Sequence, residues 1–218
     1  MDETARYDGI ATWYDAELVR AEDAAYVLGL LGRGPGRLLD VCCGTGFHML
    51  DLAEAGWSPV GVDVSEDQLR LARKRGCDVV QGRAEALPFE DGSFDVAVSL
   101  WSHTDVDDFP AVLREIARVL VPGAPFVYLG VHPCFVGPHS RFIAGEGVPY
   151  LHPGYRDVRR YDDAPGISPA GLRAKVGATH LPLGLFVQAF LDAGFRIERF
   201  EEPGERDYPV PIGLRAVR

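Results

Sequence analysis

The sequence predicts an α/β fold built on a mostly parallel sheet. Strand-like and helix-like segments alternate between residues 37 and 131, which is the pattern of successive βαβ units. The strand-like segments are short and nearly all apolar, as expected when helices cover both faces of a sheet. Because 47% of the 218 residues are hydrophobic and 25% are charged, we expect one globular domain.

Each predicted element is delimited by residues that start or stop regular structure. Amphipathic residues before position 37 predict one or two helices, and glycines and a proline close that segment. Ser65 is placed to cap the helix after the second strand, and Gln68 completes a capping box. The predicted strands are 37–41, 58–62, 77–81, 94–100, 125–131, 195–200 and 212–217, and the predicted helices between them are 45–55, 65–75, 109–120 and 183–193.

The alternation of strands and helices breaks after residue 131. Glycine and proline recur from there to residue 182, and this stretch holds four of the six histidines. A segment of that length inside a compact domain is usually functional. We therefore predict an insertion after the fifth strand and no separate domain.

Charge and cysteine content narrow the class of protein. The net charge of −10 disfavours nucleic acid and anionic membranes as partners. The basic run 70–75 has a helical pattern and is interpreted as a solvated helix face, with a phosphate-binding patch as the alternative. The four cysteines contain no Cys-x-x-Cys pair, so neither a disulfide framework nor a metal site is predicted.

The N-terminal residues predict a cytoplasmic location. Met1, Asp2 and Glu3 form an acidic start without the apolar stretch of a signal peptide. Nowhere does an apolar run approach the roughly 18 residues of a membrane span. Reduced thiols are the default state for cysteines in that compartment.

The segment that follows the first predicted strand is the most informative part of the chain. Gly44 and Gly46 would let the backbone approach a ligand closely, and the next helix would offer free amides. A dinucleotide fingerprint needs a third glycine, but Met49 occupies that position. The motif therefore points away from a dinucleotide.

Two acidic residues end neighbouring predicted strands at the same sheet edge. Asp40 would repel a pyrophosphate, whereas it suits a ligand that carries an ammonium and a sulfonium; an Asx turn is the alternative. Asp63 can accept hydrogen bonds from both hydroxyls of a ribose, and a role as a helix-start residue is the alternative. Together they predict a nucleoside-type cofactor that carries a cation.

Four segments in succession are similar to the motifs of class I S-adenosylmethionine-dependent methyltransferases. They are 40–46, 61–65, 82–95 and 118–123, the last reading Arg-Val-Leu-Val-Pro-Gly. The resemblance spans residues 37–131, and the final helix and two strands also fit it. It implies a Rossmann-like, seven-stranded, mostly parallel sheet with helices on both faces and the last strand antiparallel. It also implies S-adenosyl-L-methionine as cofactor and S-adenosyl-L-homocysteine as product.

The resemblance also assigns parts of the chain. It implies an N-terminal helical lid (1–36), a cofactor-binding core (37–131), an acceptor-cap insertion (132–182) and a C-terminal helix with a strand pair (183–218). Tyr7 and Tyr14 resemble lid residues of members that act on small molecules, with ordinary helix packing as the alternative.

Within the implied core, the turn 44–46 would hold the methionine part of the cofactor and Asp63 the ribose. Leu100 would line the floor of the pocket. The chain departs from the family at Arg83, where an acid usually bonds the adenine amine; the guanidinium plane could instead stack on the base. The implied cofactor-binding residues are Tyr7, Tyr14, Asp40, Cys42, Gly44, Thr45, Gly46, Asp63, Val64, Gln68, Arg83, Ala84, Glu85 and Leu100, of which Val64, Ala84 and Glu85 would flank the adenine.

Three histidines are candidate general bases for an oxygen acceptor. His103 follows the fourth predicted strand, His132 follows the fifth, and His180 ends the insertion, so all three could converge on one cleft. His132 is the favoured base. For each of them the alternative is a surface or structural histidine.

The sequence thus predicts methyl transfer from S-adenosylmethionine to a small molecule, at oxygen, in secondary metabolism. A binding or regulatory module without turnover stays open as an alternative, as does a non-methylating enzyme such as a cyclase. Neither nucleic acid nor a membrane is an expected partner, and the expected state is a monomer or homodimer.

Overall fold

The structure is a computed structural model that describes residues 5–142, 147–169 and 171–218. The first four residues of the predicted lid, and with them the acidic start Met1–Glu3, lie outside the described residues. So do residues 143–146 and 170 of the insertion. Within the described ranges, none of the helices has both the length and the apolar character that a membrane crossing requires.

A seven-stranded sheet forms the centre of the molecule, in the order β10-β11-β5-β4-β1-β2-β3. β11 runs antiparallel to both of its neighbours, β10 and β5, whereas the pairs among β1 to β5 are parallel. The predicted sheet with an antiparallel last strand is therefore confirmed. Its strands are β1 (Arg37–Val41), β2 (Ser58–Asp63), β3 (Asp78–Gln81), β4 (Val96–Leu100), β5 (Pro125–Val131), β10 (Arg196–Glu201) and β11 (Pro211–Val217).

The helices lie close to their predicted positions. Because Gly46 has a left-handed φ of 69°, the helix after β1 starts two residues later than predicted. The Ser65 hydroxyl accepts a hydrogen bond from the Gln68 amide, as a cap should. The helices are α1 (Ala11–Glu17), α2 (Ala21–Leu31), α3 (Phe47–Glu54), α4 (Glu66–Lys74), α5 (Phe109–Val119), α6 (Leu172–Val176) and α7 (Leu183–Asp192).

The predicted capping box is only half formed. The Ser65 amide donates to the carboxylate of Asp63 at 2.9 Å. The side-chain oxygen of Gln68 is buried and forms no hydrogen bond within the part of the chain that the structure describes. The Gln68 side chain therefore does not cap α4, although its spacing from Ser65 predicted that it would.

Helices cover both faces of the sheet, and apolar side chains fill the two interfaces. On one face, rings of α5 and α7 pack on the sheet, and those of Phe109 and Phe186 stack with centroids 5.3 Å apart. On the other face, Val27 of α2 and Leu52 of α3 belong to one apolar cluster, and both are almost fully buried. This burial on both sides explains the apolar strands.

The insertion contains more regular structure than its sequence predicted. Two short antiparallel pairs form there, β6 (Ser140–Phe142) with β7 (Pro149–Leu151) and β8 (Arg159–Tyr161) with β9 (Ala178–His180). α6 precedes β9. Strands of three residues are too short to give a periodic signal in a sequence rich in glycine and proline.

Removing the ring of Phe186 should destabilise the protein strongly. Phe186 is fully buried in the aromatic face, whereas the adjacent Leu185 is 49% exposed. We expect Phe186→Ala to lower the free energy of unfolding by about 3–5 kcal/mol, because it leaves a cavity. Leu185→Ala is the matched control and should change it by less than about 1 kcal/mol. Urea denaturation measures both, and equal effects would contradict the packing described above.

Candidate functional site

A cavity opens at the carboxyl ends of β1, β2 and β4, where ligands bind in open α/β sheets. Its volume, open mouth included, is about 980 Å³, enough for a nucleoside-sized ligand. A smaller cavity of about 360 Å³ adjoins it. The two share the lining residues Tyr14, Cys42, Gly44, Leu100 and Trp101.

The structure brings most of the predicted cofactor residues together around the larger cavity. Asp40 and Thr45 line only the smaller cavity, and Gly46, the last residue of the turn, lines neither. The predicted residues around the larger cavity are Tyr7, Tyr14, Cys42, Gly44, Asp63, Val64, Gln68, Arg83, Ala84, Glu85 and Leu100.

Asp63 is fixed on the cavity wall by two backbone amides. Its Oδ2 accepts from the Gly44 amide at 3.0 Å, and its Oδ1 accepts from the Ser65 amide at 2.9 Å. Burial raises the pKa of Asp63 to about 6, although these amide bonds oppose the rise. The carboxylate is therefore mostly ionised at neutral pH. It also accepts the Ser65 amide at the start of α4, as the alternative interpretation predicted.

Asp40 is a buried acid without a partner. Its side chain is 3% exposed, and no described residue donates a hydrogen bond to it, so the Asx turn is not formed. Burial, with the nearby charge of Asp63, raises the pKa of Asp40 to about 8. A cation in the smaller cavity would favour the ionised form of this group.

Contacts with neighbouring residues fix the glycine turn in place. A β-carbon on Gly46 would lie 2.8 Å from Cys77 Sγ, so only glycine fits there. The Thr45 hydroxyl donates to the carboxylate of Asp15 in α1. Arg75 bonds the Thr45 carbonyl at 2.9 Å and pairs with Asp15 at 2.6 Å. The turn is therefore locked to both α1 and α4.

Polar groups close the far end of the larger cavity. The Glu85 carboxylate accepts from the Asp107 amide at 3.2 Å. The Arg83 guanidinium lies 3.5 Å from the carboxylates of both Glu85 and Asp107, and its side chain is 56% exposed. Arg83 thus stands at the mouth of the cavity in an ion pair. Stacking of its guanidinium on a base stays a prediction.

The N-terminal segment, which the sequence predicts to be a lid, is joined to the core and to the insertion through one carboxylate. Tyr7 and Tyr14 pack edge to face, with centroids 5.1 Å apart. The Tyr7 hydroxyl donates to Asp105 at 3.0 Å, and Arg173 of α6 forms an ion pair with the same Asp105. Burial raises the pKa of both tyrosines. Both hydroxyls are therefore protonated at neutral pH.

His103 faces the protein core instead of either cavity. Its Nδ1 forms a hydrogen bond with the Tyr128 hydroxyl, and its ring packs against Phe109 and Phe186. Burial lowers its pKa to about 3. The expectation that His103 reaches the cleft is not met, because the aromatic face of the sheet holds the ring.

His132 and His180 also lie away from both cavities. The Nδ1 of His132 accepts from the Cys134 amide at 3.1 Å, and its Nε2 bonds Glu202 at 2.8 Å. His180 bonds the Tyr155 carbonyl through Nε2 at 2.7 Å. The predicted convergence of three histidines on one cleft is therefore absent from the described residues.

Other residues at the site carried no signal in the sequence. Asp105 and Arg173 meet only because the insertion folds back over the lid. Trp101 has a left-handed φ of 60°, and its indole N–H donates to Asp23 at 2.7 Å. His48 lines the smaller cavity. A single sequence holds no pattern that could have placed Asp105, Arg173, Trp101 or His48.

Residues 38–123 match the family model described as a methyltransferase domain. This stretch of the chain is therefore similar to methyltransferase domains. A demethylmenaquinone methyltransferase of Lactococcus lactis is 41% identical over 100 residues, covering 41% of this chain and 40% of that protein. A sterol 4-C-methyltransferase of Caenorhabditis elegans is 33% identical over 97 residues, covering 41% of this chain and 29% of that protein.

The methyltransferase fold extends over nearly the whole chain. An S-adenosylmethionine-dependent methyltransferase of Mesorhizobium loti has a TM-score of 0.73 at 24% identity, covering 97% of this chain and 99% of that one. A [4+2]-cyclase has a TM-score of 0.65 at 22% identity, covering 90% of this chain and 80% of that one. At such identities the likeness concerns the fold. The chain spans less than half the length of the two relatives named above.

S-adenosylmethionine is the cofactor of this domain family, and the cavities have groups that fit it. Asp40 offers a carboxyl and Gln68 a buried oxygen that none of the described residues bonds. Asp63 offers a carboxylate that the Gly44 amide fixes on the wall of the larger cavity. Among the described residues, no group of three or more His, Cys, Asp or Glu side chains is arranged to hold a metal ion.

The raised pKa of Asp40 predicts a specific dependence of stability on pH. Between the ordinary pKa of 3.8 and about 8, the folded protein keeps a proton that the unfolded chain loses. Stability should therefore fall as pH rises through this window. Asp40→Asn removes that loss and should stabilise the ligand-free protein by several kcal/mol at pH 8 and by much less at pH 5.

Urea denaturation at several pH values measures this difference. Asp78→Asn, on the exposed surface of β3, is the matched control and should leave the pH profile of the wild type unchanged. Parallel profiles for Asp40→Asn and the wild type would contradict the raised pKa.

Proposed function

We propose that the protein transfers a methyl group from S-adenosylmethionine to a small-molecule acceptor. The observation that carries this proposal is the pair of acids at the ends of β1 and β2, which flank the Gly44 turn. Asp40 would pair with the ammonium of the methionine part. Asp63, held by two amides, would accept the ribose hydroxyls through its remaining lone pairs.

The residues around the cavities would contribute orientation and the exclusion of water. S-adenosylmethionine, when bound, supplies a methyl group activated by a sulfonium. Tyr7 and Tyr14 line the cavity and pack against each other, and Asp105 accepts a hydrogen bond from Tyr7, so these two rings would act as the predicted lid. Holding two reactants in line contributes roughly 7–11 kcal/mol to such a reaction. The site as described is suited to that positioning role.

A small acceptor is supported by charge and by the relatives. The net charge of −10 disfavours nucleic acid as a substrate, and the relatives include a demethylmenaquinone and a sterol methyltransferase. The expected oxygen acceptor depended on a histidine base. Since none of the three candidates lines either of the two cavities described above, we propose no acceptor atom. Secondary metabolism, a cytoplasmic location and a monomer or homodimer stay predictions from the sequence.

Calorimetry with S-adenosylmethionine and S-adenosylhomocysteine tests cofactor binding directly. We expect both to bind the wild type, and we expect Asp63→Asn to weaken both by roughly ten- to a hundredfold, because charged hydrogen bonds to the ribose are lost. Asp78→Asn is the control of matched chemistry. A wild type that binds neither ligand at millimolar concentration would remove the proposal.

Methyl transfer is tested by incubating the protein with labelled S-adenosylmethionine and pools of small metabolites. Label in an acceptor, lost in Asp63→Asn, is the expected result. Binding without any label transfer would favour the module without turnover or the non-methylating enzyme, a function that the [4+2]-cyclase of the same fold exemplifies.

A further inference from the structure

The insertion acts on the larger cavity only through the segments that it contacts. None of the described residues between positions 132 and 182 lines either cavity. The insertion is joined to the loop after β4, where the Thr179 amide of β9 donates to the Thr104 carbonyl at 2.8 Å. The next residue of that loop, Asp105, does line the larger cavity. A path of contacts therefore leads from the insertion to the cavity wall.

Arg173 of α6 holds the Asp105 carboxylate with two hydrogen bonds. Its Nη1 donates to Oδ1, and its Nη2 donates to Oδ2 at 3.3 Å. Nη1 also lies 3.4 Å from the Gly177 carbonyl, which it bonds. The side chains of Arg173 and Asp105 are only 24% and 18% exposed. A two-bond pair of this kind fixes the orientation of a carboxylate as well as its position.

Tyr7 depends on that orientation. Its hydroxyl donates at 3.0 Å to Oδ1 of Asp105, the same oxygen that Arg173 Nη1 bonds. The Tyr7 ring lines the larger cavity and packs edge to face on Tyr14, which lines it too. The carboxylate and the ring that it holds are thus both part of the cavity wall, unlike an ion pair that serves only to stabilise the fold.

α6 contacts the N-terminal segment at a second point. The Lys175 ammonium lies 5.0 Å from the centroid of the Trp13 ring in α1, which is within the range of a cation–π interaction. Trp13 directly precedes Tyr14 in that helix. One short helix of the insertion therefore contacts the N-terminal segment directly at α1 and, through Asp105, at Tyr7.

We propose that Arg173 is a positioning residue, which fixes the Tyr7 ring against the bound cofactor through Asp105 and thereby slows release of the cofactor. This inference rests on the proposed function, since it takes the larger cavity as the cofactor site. It gives the insertion a role in cofactor retention that is separate from any contact with an acceptor.

Binding of S-adenosylhomocysteine to single variants tests the role of Arg173. Arg173→Met should weaken the affinity measured by calorimetry roughly tenfold, and surface plasmon resonance should show the change mainly in the dissociation rate. Arg156→Met, at an exposed arginine of the same insertion, is the matched control and should change neither quantity.

The same substitution in a Tyr7→Phe background tests the path of contacts. Tyr7→Phe keeps the ring and removes the hydroxyl that Asp105 holds, so adding Arg173→Met should weaken binding by less than about threefold further. A merely structural role would give the same loss in both backgrounds. Arg173→Lys keeps the charge but not the paired geometry, and its loss in the wild-type background should be intermediate. If Arg173→Met does not fold, Arg173→Lys takes its place in both backgrounds.

The outcomes separate this inference from the proposed function. Equal losses in the two backgrounds, or wild-type affinity in Arg173→Met and Arg173→Lys, would overturn the role of Arg173 while leaving cofactor binding in place. Absence of binding to the wild type would instead remove the proposed function.

Discussion

The carboxylate of Asp63 holds together the two loops that form the larger cavity. It accepts from the Gly44 amide of the turn after β1 and from the Ser65 amide at the start of α4. The Cys43 amide reinforces this join by donating to the Val62 carbonyl at 3.0 Å. Without Asp63, two amides would lose their acceptor, at a cost of about 1–3 kcal/mol each. The shape of the cavity therefore depends on the same group that is proposed to bind the ribose.

The sheet could be predicted because its buried strands are short runs of apolar residues, which are visible in the sequence. The strand 37–41 was predicted with the bounds it has, since its apolar residues end abruptly at the turn. The capping box at Ser65 and Gln68 was only half right. Spacing alone cannot tell that the carboxylate of Asp63, two residues before the cap, takes the Ser65 amide first.

The orientations of the histidine rings could not be predicted from the sequence. Their positions after strands suggested a common cleft, but a position in the chain does not say which way a ring turns. His103 turns into the aromatic face, and both nitrogens of His132 are engaged by neighbours. His48 gave no signal, because its environment is made by Asp40 and the start of α3 together.

Ion pairs attach the lid to the rest of the protein. Arg6 pairs with Asp107 and Asp15 pairs with Arg75, and all four side chains are partly exposed to solvent. Dissolved ions screen such pairs over a distance of about 8 Å at physiological ionic strength, whereas they leave the apolar interfaces of the sheet intact. We therefore expect rising salt to loosen the attachment of the N-terminal segment before it affects the core, and the shape of the cavity mouth to depend on ionic strength more than the fold does.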